Sequence, residues 1–234
     1  MGTSLREGHE LFARYAFPPN ELGYCGPESA SLDELADRAR EFDGAWPYLE
    51  AIAAAIGTEP LDPAVVRTYW VGSPLLDDLD PGVLLARLRA AFAGQATGLL
   101  ADVPTATAHH SFHVCVVYPW VRFLGRGDPA TPLRVLQSCR IRWGTVQHVS
   151  GDELELVSSP LVYDGRRLEL GAPAPEVVRW RKGGSALTAA PAGGDVVAAH
   201  WDWVCGRLGD ADAEALECGT AATLDLVNRL IAEG

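Results

Sequence analysis

The feature that most constrains this fold is a change in the apolar repeat partway along the chain. Up to about residue 108 the apolar residues recur every three or four positions, as in "PGVLLARLRAAFAG" (81–94), which is helical spacing. Beyond residue 134 they alternate in short runs between glycine turns, as in "ELELV", "RRLEL" and "DVVAAHW", which is strand spacing. Between the two lie "HHSFHVCVVYPWVRFL" (109–124), which reads as a buried strand or irregular segment, and "GRGDPATP" (125–132), dense in Gly and Pro. The expectation is an α+β chain with a mainly helical domain over 1–124, a linker at 125–133, and a small OB-like β-barrel with C-terminal helices over 134–234.

Local signals place the elements. Residues 3–16 read as a short amphipathic helix broken by "FPPNELGYCGP". Ser31 and Glu34 form a capping box, predicting a helix to about Phe42. "WPYLEAIAAAIG" predicts a helix closed by Gly57. Asp62-Pro63 and Asp80-Pro81 each pair an acidic cap with proline in the first turn. Residues 135–149 read as the first strand, Asp164-Gly165 as a hairpin turn, and "DVVAAHW" as the last strand. The tail from Trp201 to Ile231 reads as helical.

The 234 residues carry a formal net charge of −12, and 48% of them are hydrophobic, including seven Trp. Such a chain can bury a core, and its charge opposes nucleic acid and anionic membranes. The start "MGTSLREGHE" lacks an apolar signal region and no long uncharged apolar run follows, so a cytoplasmic protein without membrane insertion is expected. The five cysteines are widely spaced and never form CxxC, which predicts free thiols. Glycine-rich nucleotide motifs are absent.

Three groups carry potential chemistry. Cys139 and His200 stand at the start of the first and the end of the last expected strand. Those ends lie close in a small barrel, and thiolate with imidazole suits iron or zinc. By periodicity alone the plainer reading, a buried thiol and a surface histidine unrelated to each other, is favoured, since two ligands do not make a metal motif. The second group is His109, His110 and His113 with Cys115. His109 and His113 share a face of a helix; His113 and Cys115 share a face of a strand. The third is Cys25 in the turn "NELGYCGP", which with His110 or His113 would make a nucleophile–base pair; its plain reading is a structural turn.

"CRIRWGTV" (139–146) and "GDVVAAH" (194–200) together resemble the HypC/HupF family of [NiFe]-hydrogenase maturation chaperones. Cys139, Gly144 and Val146 match the family's Cys-x3-Pro-Gly-x-Val in spacing, with Trp143 in place of the proline. Gly194, Asp195, Val197 and His200 match its Gly-Asp-x-Val-x-x-His. The resemblance covers about residues 138–230 and implies a HypC-like barrel. It also implies a thiolate ligand at Cys139, an imidazole ligand or its support at His200, and iron as cargo, as an Fe(CN)2CO-type unit. The implied partners are a hydrogenase assembly scaffold and the large-subunit precursor. A maturation chaperone that binds iron and docks on proteins, rather than an enzyme, is therefore expected. The alternative is a thiol-dependent enzyme or metal-binding protein centred on Cys25 and the His109–His113 cluster. In the family the cysteine is almost N-terminal; here it is internal, behind a helical front the small chaperones lack.

Overall fold

A computed structural model describes residues 2–28 and 30–233. It is α+β, with a helical front and a mixed five-stranded sheet. Helix α1 (Gly2–Glu21) runs through Pro18 and Pro19. The break expected at residue 17 does not occur because both prolines are buried, and the final turn is held by packing rather than by its own N–H groups. Asn20 then pins the next loop, donating from Nδ2 to the carbonyls of Cys25 (3.0 Å) and Pro27 (2.7 Å).

The capping pair forms, with Glu34 accepting from the Ser31 N–H at 2.8 Å. The helix expected behind it does not. Residues 32–38 are successive turns and Ala39–Glu41 is a single 3-10 turn. So short a segment cannot propagate a helix by itself, and its shape follows the burial of Leu35, Ala39 and Phe42. Helices α2 (Trp46–Ile56), α3 (Pro63–Trp70) and α4 (Pro81–Ala91) form as expected. Gly57 caps α2 with φ of 69°. Asp62 accepts from the N–H of Ala64, and Asp80 from those of Gly82 and Val83.

The "HHSFHVCVV" stretch is not a strand. It forms the short helix α5 (His110–Phe112) and a π-helical turn over His113–Val117, buried throughout. The linker expected at 125–133 is irregular only in its first part, because helix α6 (Ala130–Cys139) already begins there. The strand expected over 135–149 therefore divides. Pro132, Val135, Leu136 and Cys139 are the buried residues of α6, at spacings 3, 1 and 3, which is one helix face. Alternation governs only from β1 (Arg142–Ser150) onward.

Strands β2 (Glu153–Ser158), β5 (Ala174–Arg179), β8 (Val196–His200) and β9 (Trp203–Arg207) join β1 in the cyclic order β1-β2-β5-β9-β8. All neighbouring pairs are antiparallel except β5–β9, a seam of one parallel pair, Arg179 with Trp203. The sheet is thus rolled, with its edges joined narrowly. Two small hairpins, β3 (Leu161–Tyr163) with β4 (Leu168–Leu170) and β6 (Arg181–Lys182) with β7 (Ser185–Ala186), lie outside it. Asp164-Gly165 turns the first of them, Gly165 at φ 95°.

Strand β9 falls in the segment read as helical from Trp201. Trp203, Val204 and Cys205 are all buried, so this strand faces packing on both sides. A single helix, α7 (Asp210–Glu233), follows where helices were expected. The main apolar core runs from Phe12 to Val227 and draws on both sides of residues 125–133. A smaller core of Val146, Leu154, Leu156, Val178, Val197, Ala199 and Val204 fills the rolled sheet.

Candidate metal centre

The end of α6 and the end of β8 meet through local backbone. Strand β1 follows α6 after two residues and pairs with β8, Arg142 opposite Ala199. The Trp201 N–H donates to the Ser138 carbonyl at 2.8 Å. Arg142 is buried and reinforces the junction. Its guanidinium donates to the carbonyls of Gln137 (3.4 Å), Ser138 (3.3 Å) and Trp201, and to both carboxylate oxygens of Glu176 at 3.1 Å. Cys139 and His200 are therefore held together, though Cys139 ends a helix rather than opening a strand.

His110, Cys139 and His200 each offer one ligand atom, and these atoms all lie within 4.8 Å of one another. All three residues are buried. The hydrogen bonds define the ring states. His200 Nδ1–H donates to the Tyr15 carbonyl at 2.7 Å, leaving Nε2 as a buried lone pair without a partner. A backbone carbonyl behind an imidazole is the usual support of a metal-binding histidine. His110 Nε2–H donates to the Cys139 carbonyl at 2.9 Å, which leaves Nδ1 as its acceptor, 3.1 Å from the Tyr69 hydroxyl. That hydroxyl has a second acceptor in the Gly44 carbonyl at 3.2 Å, so turning its proton there frees His110 Nδ1. Trp70 packs against both imidazoles, ring centroids 4.5 Å from His110 and 5.7 Å from His200.

Burial sets the protonation. It lowers His200 to about 3 and His113 to about 4, and pushes His110 well below the ordinary range, so the rings are neutral donors at neutral pH. It raises the Cys139 thiol far above its ordinary value. Binding a cation here must therefore release a proton.

A cavity of about 30 Å³ adjoins the cluster, lined by His110, Cys139 and His200 and also by Cys25 and His113. That holds about one or two water-sized occupants. The sequence placed Cys139 with His200 and Cys25 with the histidines as rival sites; the fold puts both groups on one cavity. No carboxylate among the described residues lines it, so the donors suit a borderline or soft transition metal rather than calcium or magnesium.

Other candidates are placed elsewhere. His109 has both ring nitrogens engaged, Nε2–H donating to the Val71 carbonyl (3.2 Å) and Nδ1 accepting from the Ser111 N–H (3.2 Å), so it is a structural cap and not a ligand. The Cys115 thiol is buried, pushed up to about 12, and outside the cluster; the His113–Cys115 face expected on a strand is lost in the π turn. Gly144, Val146, Gly194 and Asp195 build the β1–β8 junction. The Val146 N–H donates to the Asp195 carbonyl (2.9 Å), and the Gly194 N–H donates to the Val146 carbonyl (2.8 Å). Asp195 Oδ2 accepts from the Ala192 N–H (2.7 Å) and pairs with Arg207 (2.9 Å). They set the position of β8, and hence of His200. Sequence reasoning missed that His110 joins Cys139 and His200, and missed Tyr69 and Arg142 as supports. The only sequence signal for His110 was its place among clustered histidines.

A chain of this kind is an α+β protein enclosing a buried histidine–cysteine cluster. A family model matches residues 4–234, and the chain belongs to that family, the family of unknown function DUF6390. No curated protein and no solved structure matches it. No helix among the described residues is long and apolar enough to cross a membrane.

Proposed function

We propose that this protein is a metal-binding accessory of [NiFe]-hydrogenase maturation, with Cys139 as thiolate ligand and His200 and His110 as imidazole ligands of an iron unit. The observation that carries the reading is the convergence of the two motif residues, Cys139 and His200, in one buried cluster completed by His110. The bare His200 Nε2 and the releasable His110 Nδ1 are the donors such a cargo needs. A strong-field ferrous unit carrying CO and cyanide pairs well with thiolate, and because the cavity holds only about one or two water-sized occupants, taking up such a unit requires its walls to open. On this reading the rolled sheet is a variant of the small chaperone barrel. The partners are an assembly scaffold and the large-subunit precursor, met in the cytoplasm.

The cysteine is only 8% exposed. Cargo held here is shielded from solvent, and handover requires local opening rather than a surface-displayed thiol. The rival reading, a thiol enzyme using Cys25, is opposed by the state of that thiol. Burial pushes Cys25 up to about 12 and holds the neighbouring histidines neutral, which disfavours a thiolate–imidazolium pair.

The test is anaerobic co-expression with hydrogenase assembly proteins, purification and infrared spectroscopy. Cyanide and CO bands in the wild type, lost in Cys139→Ala, are expected. Bands that persist unchanged in Cys139→Ala, or no bands in the wild type together with normal hydrogenase maturation in cells lacking this protein, would sink the iron-carrier reading.

A further inference from the structure

We propose that Cys25 and His113 form an outer metal station through which a borderline divalent cation reaches the buried centre. This rests on reading the His110, Cys139 and His200 cluster as a metal site. A second cavity of about 270 Å³ lies next to the small one. The two share Tyr24, Cys25, Gly44, His113 and Tyr118 in their linings. Among the described residues Cys25 and His113 are thus the only sulfur and imidazole groups common to both, placed where an incoming ion passes from one to the other.

Each has the chemistry the role needs. His113 is buried, 7% exposed, and its Nδ1 has no hydrogen-bond partner. An unpaired buried imidazole costs free energy unless something binds it. Cys25 is held at the neck by Asn20, whose side-chain amide donates to the carbonyls of Cys25 and Pro27. Asp43 and Glu41, the latter paired with Arg38, line the outer cavity and give its mouth the charge that attracts cations. The inner cavity has no carboxylate lining among the described residues, so an ion moves from a hard, exposed mouth past a thiol and an imidazole to softer ligands.

The proton account balances. The Cys25 thiol loses its proton to solvent when it takes the ion. When the ion moves inward, the Cys139 thiol gives up its proton as its sulfur–metal bond forms, and Cys25 recovers one as its own bond breaks. No oxidant or reductant takes part.

Gly44 sits between the two cavities. A Cβ added there would lie 2.7 Å from His113 Nε2, so even alanine crowds the neck without removing a ligand.

The experiment is anaerobic stopped-flow loading of the full metal-free chain with Co2+, read by thiolate-to-cobalt charge-transfer absorption. Cys25→Ser and His113→Gln should slow loading by about tenfold, taking as a scale the lower end of the loss in affinity or activity when supporting groups of metal sites are removed. Their end-point spectrum and stoichiometry should match wild type. Gly44→Ala should slow loading in the same way. Wild-type rates in both Cys25→Ser and Gly44→Ala would overturn the route while leaving the centre standing; loss of the thiolate band in Cys25→Ser would make Cys25 the resident thiolate and overturn both the route and the place of Cys139 in the centre. A wild type that shows no thiolate–cobalt band would overturn centre and route together.

Discussion

Arg142 is the side chain on which the centre's geometry depends most. Replacing it by Met removes a buried guanidinium that donates to Gln137, Ser138 and Trp201 carbonyls and to the Glu176 carboxylate. Methionine keeps the aliphatic bulk, so packing changes little. What remains is a carboxylate without its counter-ion and helix-end carbonyls without their donor. Ser158 Oγ still donates to Glu176 at 2.6 Å, and Trp201 N–H still donates to Ser138, which limits the damage. Breaking one side of a fully buried ion pair costs about 3–5 kcal/mol; with the Glu176 side chain 26% exposed, that range is the upper bound here. The assay is urea unfolding followed by tryptophan fluorescence, with cobalt affinity measured on the folded fraction. Arg142→Met should lose stability within that bound and bind cobalt more weakly, because the ends of α6 and β8 are no longer tied. The double variant Arg142→Met, Glu176→Leu should recover part of the loss, since the orphaned charge is gone. A loss below roughly 1 kcal/mol, the worth of an ordinary hydrogen bond, with unchanged cobalt affinity, would refute the clamp.

Other outcomes follow from the same structure. Burial holds His109 and His113 neutral down to about 4 and His200 down to about 3, with His110 shifted the same way, while the unfolded chain takes up these protons near 6.5. The unfolded state therefore binds more protons below pH 6.5, and stability falls with falling pH by about 1.4 kcal/mol per pH unit for each histidine. Urea midpoints of the metal-free protein at pH 7, 6 and 5 should drop steeply over the last step; flat midpoints would refute neutral burial. Asn228→Ala should cost about 1–3 kcal/mol, because the buried amide exchanges two bonds with the Leu168 backbone at 2.8 and 2.9 Å; thermal unfolding reads it. Gly144→Val should prevent native folding, since any Cβ at Gly144 meets the Val157 carbonyl oxygen at 2.2 Å; wild-type circular dichroism in that variant would contradict the register of β1 on β2.

Much of the local structure was legible where a single residue's chemistry decides. Asp62 and Asp80 mark helix starts because a carboxylate satisfies free N–H groups. Gly57 and Gly165 mark ends and turns because they accept positive φ. Residues 130–139 were not legible in the same way. Their apolar residues fit alternation and helical spacing equally over so short a run, and packing decided for α6. The "HHSFHVCVV" stretch, expected as a buried strand or irregular segment, is helical because β-branched and aromatic residues also suit a fully buried helical turn.

The sequence alone determined the α+β division, the caps and hairpin turns, and the two motifs bearing Cys139 and His200, because each rests on residues near one another in the chain. It could not determine that His110 joins those two, that Cys25 and His113 share their cavity, or that the thiols are held protonated. These depend on the rolled sheet's pairing of β1 with β8 and on the packing of the helical front against that junction. Proximity and desolvation between residues far apart in sequence are properties of the folded core, and only the tertiary structure sets them.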